Sequence, residues 1–395
     1  MYVYILRRVL LLIPVIIGVM TITFLIVQGI SVPERVSSYY VCSGHGGVSP
    51  CQPTIPCKGS TTGAQCPNPA YQAAVHQLGY DQPVIQQWGT YIANSLSLHW
   101  GYTGANSEAS NELRLTGQTP VSTVLSYFLP YTLELASISL VFILALSIPI
   151  GNYSAVYRNR PVDQLARVLS FSGFALPGFL LATLAIAAAT LASSGSGLQC
   201  NGTEAPFGLW FGSWPKETCF ASGAYPSWIG SYQQTSPTGF PTVDAAVNGN
   251  WALALDSLRR MLIPALVITY GGIAGILRFV RNSMLEVMNL DFIRTARSKG
   301  VPEARVVKRH AGRNSLNVTV TVLGLTFAGF IGGFPIIEYI FGLRGIGLTL
   351  VYAIQPQFDY GLIFGTTLLF TIIVVAANIC VDILYAYLDP RVRLG

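Results

Sequence analysis

An all-α polytopic membrane fold with six transmembrane helices and two long external loops follows from three features of the sequence. Its residues are 51% hydrophobic and only 10% charged, whereas soluble domains carry roughly a quarter of their residues as charges. Six apolar stretches can cross a bilayer, which takes about 20 residues at ~1.5 Å of rise each. Lys and Arg gather in alternate loops between those stretches, the asymmetry that sets orientation across a membrane.

The first stretch, Val9 to Ile30, follows Arg7 and Arg8. A cleaved leader would have an apolar core of only ~7–15 residues and a small-x-small site after it. The stretch is longer and lacks that site, so residues 1–30 read as a cytoplasmic start and a retained first span. Leu135 to Tyr157 and Val168 to Ala192 supply spans two and three within residues 131–192. Met261 to Leu277 (the shortest), Leu316 to Ile337 and Tyr360 to Val381 supply spans four to six within residues 261–395.

With the N-terminus inside, the cytoplasmic face receives Arg7, Arg8, Arg158, Arg160, Arg167, the basic set from Arg278 to Arg313, Arg391 and Arg393. The outside keeps Arg35, Lys58, Arg114, Lys216, Arg259, Arg260 and Arg344, spread over many more residues. Both termini are therefore expected in the cytoplasm of a multi-pass cell-membrane protein. The net charge of +6 is the sum of these loops, so it reports topology and not nucleic-acid binding.

Residues 31–130 and 193–260 form the external loops. The first holds Cys42, Cys51, Cys57 and Cys66, the second Cys200 and Cys219, and Cys380 lies within a span. Even numbers in exported loops suit oxidised pairs; Cys200 with Cys219 is the natural bridge, and the other four allow three connectivities. A zinc site would call for a close C-x2-C pair, which is absent. Gly, Pro, Ser and Thr dominate Tyr39 to Pro69 and predict an irregular, cross-linked cap. From Ala70 to Trp100, Ala74, Leu78, Val84, Ile85, Trp88, Ile92 and Leu96 recover helical spacing for surface helices. The second loop contains an N-x-T acceptor triplet at Asn201. Its aromatics, including Trp210, Trp214 and Trp228, fit packing on the bundle or docking of a partner.

Between spans four and five lies a basic hairpin, residues 281–315. In "RNSMLEVMNLDFIRTARSKG", Met284, Leu285, Met288, Phe292 and Ala296 recur at steps of three and four and predict one apolar helix face. Gly300 supplies the left-handed residue that ends a helix, and Pro302 with Glu303 starts the next. There Val306, Val307, His310 and Ala311 oppose Arg305, Lys308, Arg309 and Arg313. An anchor on anionic lipid explains the charge. A protein socket also explains the rigid corner between two amphipathic helices, because a groove selects a shaped, partly apolar knob.

"DFIRTARSKGVPEARVVKRHAGRNSLNVTVTVLG" resembles the EAA loop of permease subunits in binding-protein-dependent ABC importers, in the peptide and nickel branch. "YILRRVLLLIPVIIGVMTITFLI", "TGQTPVSTVLSYFLPYTLELA", "EYIFGLRGIGLTLVYAI" and "DILYAYLDPRVR" extend the resemblance in order along most of the chain. It implies a type I ABC importer permease bundle forming half of a pathway for a solute, by default a di- or oligopeptide. Thr295, Ala296 and Arg297 fall in the EAA slot and Gly300 on the motif's glycine, with Asp291, Arg294 and Pro302 beside them. By this resemblance the hairpin couples to a cytoplasmic ATPase. The implied partners are a second, similar permease, two ATPase chains that bind ATP and Mg, and an external solute-binding protein. The cysteine-containing cap and the aromatic second loop look longer than the usual permease.

The residues exclude several alternatives. None of Lys58, Lys216, Lys299 and Lys308 follows a glycine, so no phosphate-binding GxxxxGK[ST] loop exists and no cofactor or metal is expected in this chain. Neither H-E-x-x-H nor G-x-S-x-G is present, against an intramembrane enzyme. A secondary carrier not driven by ATPase subunits is the alternative, since intramembrane acids often mark ion routes. Glu134, Glu338 and Asp382 all lie at span edges. Glu338, within "GGFPIIEYIFGLRGIG", is either a structural group or a solute contact. Small or polar pathway candidates are Ser170, Ser172, Gly173, Thr326, Gly329 and Gly332.

Overall fold

A computed structural model describes residues 2–39, 41–44, 47–50, 53–56, 65–104, 107, 109–110, 113, 118–193, 199–200, 203–204, 238–315, 335–354 and 358–388. Helices dominate them, as the composition predicts. In chain order they are α1 (Tyr2–Gln28), α2 (Val32–Tyr39), α3 (Pro69–Gln77), α4 (Val84–Leu96), α5 (Val121–Val156), α6 (Pro161–Ala175) and α7 (Gly178–Ser193). There follow α8 (Pro241–Val247), α9 (Trp251–Met288), α10 (Asp291–Ser298), α11 (Glu303–Arg305), a π-helix (Val306–Ala311), α12 (Pro335–Phe341), α13 (Ile346–Ile354) and α14 (Tyr360–Leu388).

Three of these, α5, the Ser257–Met288 part of α9 and the Tyr360–Cys380 part of α14, are long and apolar enough to cross a membrane. Up to five spans result if α6 with α7, and α12 with α13, each count as one broken span; the apolar part of α1, Ile13–Gln28, is shorter. The expected fifth span falls mostly on residues 316–334, outside the described residues, as do Thr326, Gly329 and Gly332.

Two expected spans take a different form. Met261 to Leu277 reads as the shortest span from its flanking charges, yet it sits inside α9, the 38-residue helix. At 1.5 Å per residue such a helix runs ~57 Å, well beyond a ~30 Å hydrocarbon layer, so charges delimit the apolar layer and not the helix. Val168 to Ala192 reads as one span, but the chain bends by 101° between α6 and α7. Leu176 is extended (φ −97°, ψ 114°) because Pro177 follows it and disfavours helical backbone at the preceding residue.

The expected irregular cap is partly paired. Val41–Gly44 (β1) pairs antiparallel with Gly47–Pro50 (β2), and Thr54–Pro56 (β3) with Gln65–Pro67 (β4). In the second loop Gln199–Cys200 (β5) pairs with Thr203–Glu204 (β6). Ladder hydrogen bonds order these segments without an apolar period for a sequence pattern to reveal. The backbones of Cys42, Cys66 and Cys200 lie in these strands, while Cys51, Cys57, Cys219 and Asn201 fall outside the described residues; among the described residues Cys380 is a free, exposed thiol.

The chain divides into two compact units. One comprises residues 11–129 and 344–372. Here α4 packs on α1: the Trp88 indole N–H donates to Thr21 Oγ1 at 3.1 Å, and the Tyr91 ring lies 5.8 Å from Phe24 and 4.6 Å from Phe364. Buried Asp359 caps α14 by accepting from the Leu362 N–H at 3.1 Å, and it accepts from the Gly104 N–H at 2.9 Å.

The other unit comprises residues 1–10, 130–343 and 373–395. Within it α6 runs antiparallel along α9. The Tyr270 hydroxyl donates to Ser172 Oγ at 2.6 Å, and a Cβ on Gly173 would lie 2.6 Å from the Ala274 Cβ. Only glycine permits that approach. Ile143 of α5 packs with Ile276 and Val280 of α9.

Candidate functional site

The basic hairpin is built on the end of α9. That helix stops at Met288, and Leu290 adopts an extended conformation (φ −74°, ψ 151°) before α10 begins at Asp291. The break shifts the helical phase. Ile293 therefore takes the fully buried position, and Phe292, expected on the apolar face, is 39% exposed. Met284 and Ala296 keep their expected inward side.

α10 closes in a Schellman motif. Gly300 adopts φ +72°, its N–H donates to the Arg297 carbonyl at 2.9 Å, and the Val301 N–H donates to the Ala296 carbonyl at 3.2 Å. The apolar pair that accompanies this motif is Ala296 with Val301, both packed on one core. Pro302 then caps α11 with its carbonyl, which accepts from the Arg305 and Val306 N–H groups. The predicted amphipathic second helix follows, wound over Val306–Ala311 as a π-helix, with Val306 and Ala311 buried and Arg305, Lys308, Arg309 and Arg313 exposed.

Beneath the corner, Ala155, Met284, Val287, Ile293, Val306 and Ala311 form one buried cluster. Burying a side chain the size of Ile or Val contributes roughly 1.5–3 kcal/mol relative to exposure. Across the corner, Arg297 grips Glu303 through two donors, Nη2 to Oε1 at 2.6 Å and Nε to Oε2 at 3.0 Å. The guanidinium holds the Glu303 carboxyl below the usual range, and the carboxylate raises Arg297 in turn. Both side chains are about half exposed, so this staple orients the corner more than it stabilises the chain.

Of the coupling candidates, Asp291, Arg294, Thr295, Arg297, Gly300 and Pro302 are exposed on the hairpin and Ala296 is half-buried. Asp291 and Arg294 form a loose, exposed ion pair at 3.5 Å. The hairpin thus presents a shaped, mixed-charge knob with an aromatic at Phe292, and an apolar underside fixes it to α9. The pathway candidates separate. Ser172 and Gly173 lie in the α6–α9 contact, and Glu338 of α12 is buried against α5, accepting from Thr132 Oγ1 at 2.7 Å. Gly329 lies outside the described residues.

Sequence reasoning missed the role of Ile293 and the Arg297–Glu303 staple. It also missed Asp163, a buried acid that binds Arg281 and Arg167. Its spacing of four from Arg167 on a helix was a local signal; Arg281, 118 residues away, left none.

Residues 147–394, which contain the hairpin, match the family model described as "Binding-protein-dependent transport system inner membrane component". The chain is similar to the "Dipeptide transport system permease protein DppB" of Escherichia coli K12, 30% identical over 99% of this chain and 98% of the relative. It is also similar to the "Probable D,D-dipeptide transport system permease protein DdpB" of the same strain, 31% identical over 81% of this chain and 83% of the relative. A family model covering well over half of the chain and a relative aligned end to end place it together: the chain belongs to the family of binding-protein-dependent transport system inner membrane components and is a multi-pass membrane permease.

Proposed function

We propose that this chain forms half of the translocation pathway of an ATP-driven peptide importer, paired with a second, similar permease. An external binding protein delivers the solute, and two cytoplasmic ATPase chains bind ATP and Mg. The names of the relatives favour a di- or oligopeptide as solute. Both termini and the hairpin lie on the cytoplasmic side in this reading, which rests on the Lys and Arg distribution.

The observation that carries the proposal is the left-handed corner at Gly300, which holds Asp291, Phe292, Arg294, Thr295 and Arg297 outward on a buried apolar base. Such a knob suits a groove in another protein. Closure of the ATPase pair draws two such knobs together, and the spans attached to them tilt to open the pathway outward; hydrolysis lets them return. Ser172, Gly173, Gly329 and Glu338 are the pathway residues in this reading, and the chain itself contributes no catalytic group.

Arg297→Glu tests the socket, because it reverses the charge of the knob and sets two carboxylates against each other at the corner. Solute-stimulated ATP hydrolysis by the assembled complex is expected to disappear while membrane insertion is retained. Undiminished stimulation would contradict the proposal.

A further inference from the structure

A displacement of the hairpin has to be carried into the spans, and one buried charge cluster lies on that route. Asp163, in the first turn of α6, is fully buried. Its Oδ1 accepts from Arg281 Nε at 2.7 Å and from Ser154 Oγ at 2.9 Å. Its Oδ2 accepts from Arg167 Nη2 at 2.6 Å, the Asn159 N–H at 2.9 Å and Arg281 Nη2 at 3.2 Å. The carboxylate is saturated. Asn159 adopts φ +63° where it donates that N–H, a conformation uncommon for residues other than glycine.

The five donors come from the end of α5, the turn after it, α6 itself and α9. Ala155, next to Ser154, belongs to the core beneath the hairpin, as does Met284, one helical turn beyond Arg281. The cluster therefore sits at the base of the hairpin. Farther along, α6 stays against α9 through Ser172 with Tyr270 and Gly173 with Ala274, and it ends at the 101° bend.

We propose that Asp163 is a positioning residue: its clasp on Arg281 and Arg167 makes the hairpin, α9 and α6 move as one body, with the bend at Leu176–Pro177 as the hinge about which α7 follows. Sliding α6 along α9 would strand a carboxylate and a guanidinium in the protein interior, which is strongly unfavourable. Apolar contacts alone give no such resistance in lipid, because acyl tails are as apolar as the side chains. The inference rests on the coupling role of the hairpin proposed above and adds the route by which its motion is transmitted.

The test places spin labels, attached through a non-cysteine chemistry, at Lys299 on the hairpin, Leu165 on α6 and Leu184 on α7, all exposed. In the wild-type complex, the Lys299–Leu165 distance distribution is expected to stay fixed between the resting and ATP-vanadate-trapped states while Lys299–Leu184 shifts. Equal shifts of both distances would overturn the inference. Asp163→Leu combined with Arg281→Met removes both charges together and so strands no buried ion between them. This double variant should still fold and insert, with a thermal midpoint lowered only by the lost acceptor of the Ser154 O–H and the Asn159 N–H, and it should broaden the Lys299–Leu165 distribution and reduce ATP-driven uptake roughly tenfold while ATP hydrolysis continues. A merely structural role predicts wild-type uptake and width in this stable variant, and that result overturns the inference. Should the double variant fail to insert, the wild-type pair of distances decides. A wild-type complex without ATP-driven uptake would sink the coupling role instead. The clasp is then judged in the chain alone, where a Lys299–Leu165 distribution equally broad in wild type and Asp163→Asn overturns it and broadening confined to the variant supports it.

Discussion

Gly300 offers the sharpest perturbation of the hairpin, because its environment separates backbone strain from crowding. Its φ is +72°, and a Cβ built there meets nothing within 4 Å. A substitution is therefore disfavoured by its own backbone conformation and not by its neighbours. A left-handed conformation costs a non-glycine residue roughly 1–2 kcal/mol, most for β-branched side chains and least for Asn. Since ~1.4 kcal/mol is a tenfold change in an equilibrium, Gly300→Val should shift the balance from bent to opened hairpin by about 5- to 30-fold. The bonds at stake are the Gly300 and Val301 N–H groups and the Arg297–Glu303 staple that the corner aligns. Amide exchange over residues 296–303 reads that balance, and solute-stimulated ATP hydrolysis reads its consequence. Exchange should accelerate and stimulation fall in the order Gly, Asn, Ala, Val. If Gly300→Asn and Gly300→Val behave alike in both assays, the left-handed corner is not what the hairpin needs and the reasoning fails.

Three further outcomes follow from the same geometry. Ile293→Ala, at a fully buried position, should destabilise the hairpin by about 2–5 kcal/mol, visible as protease cleavage between residues 288 and 303 in otherwise intact membranes. The Arg297–Glu303 pair gives a pH dependence of known sign. Glu303 is held below its ordinary value, so the contribution is complete above the unfolded carboxyl pKa of ~4.3 and is lost as pH falls through the lower folded value. Hairpin protection in the wild type, measured relative to the intrinsic exchange rate at each pH, should therefore fall on acidification, by no more than ~1 kcal/mol for so exposed a pair, and Glu303→Gln should flatten that fall. Asp359→Ala orphans the buried Gly104 and Leu362 N–H groups and should lower the thermal midpoint, at roughly 1–3 kcal/mol per unsatisfied group, with Asp359→Asn milder because an acceptor remains.

The parts of this molecule legible from sequence are those fixed by local chemistry. The corner is announced by Gly300 and Pro302, whose backbone preferences leave little choice, and the outward row of Arg and Lys by its helical spacing. The buried face of α10 was less legible. The helix breaks at Asn289 and Leu290 with neither Gly nor Pro to mark it, so the phase carried over from α9 put Phe292 where Ile293 belongs. Pro177 did mark the bend, but the surrounding residues are apolar on both sides and conceal it within one apparent span. The Asp163–Arg281 contact depends on two helices meeting, and no local pattern reports a partner so remote in the chain. Function was legible chiefly through the hairpin, whose order of residues is shared with a family; the solute leaves no comparable mark on the chain.

In the proposed function this subunit gates passively and is driven from its basic hairpin. The direct measurement is uptake of a labelled dipeptide into proteoliposomes containing the permease pair, the ATPase chains and the binding protein, compared with proteoliposomes holding this chain alone. Accumulation against a gradient is predicted only in the complete assembly with ATP. Uphill uptake by the chain alone, driven by an ion gradient, would contradict passive gating.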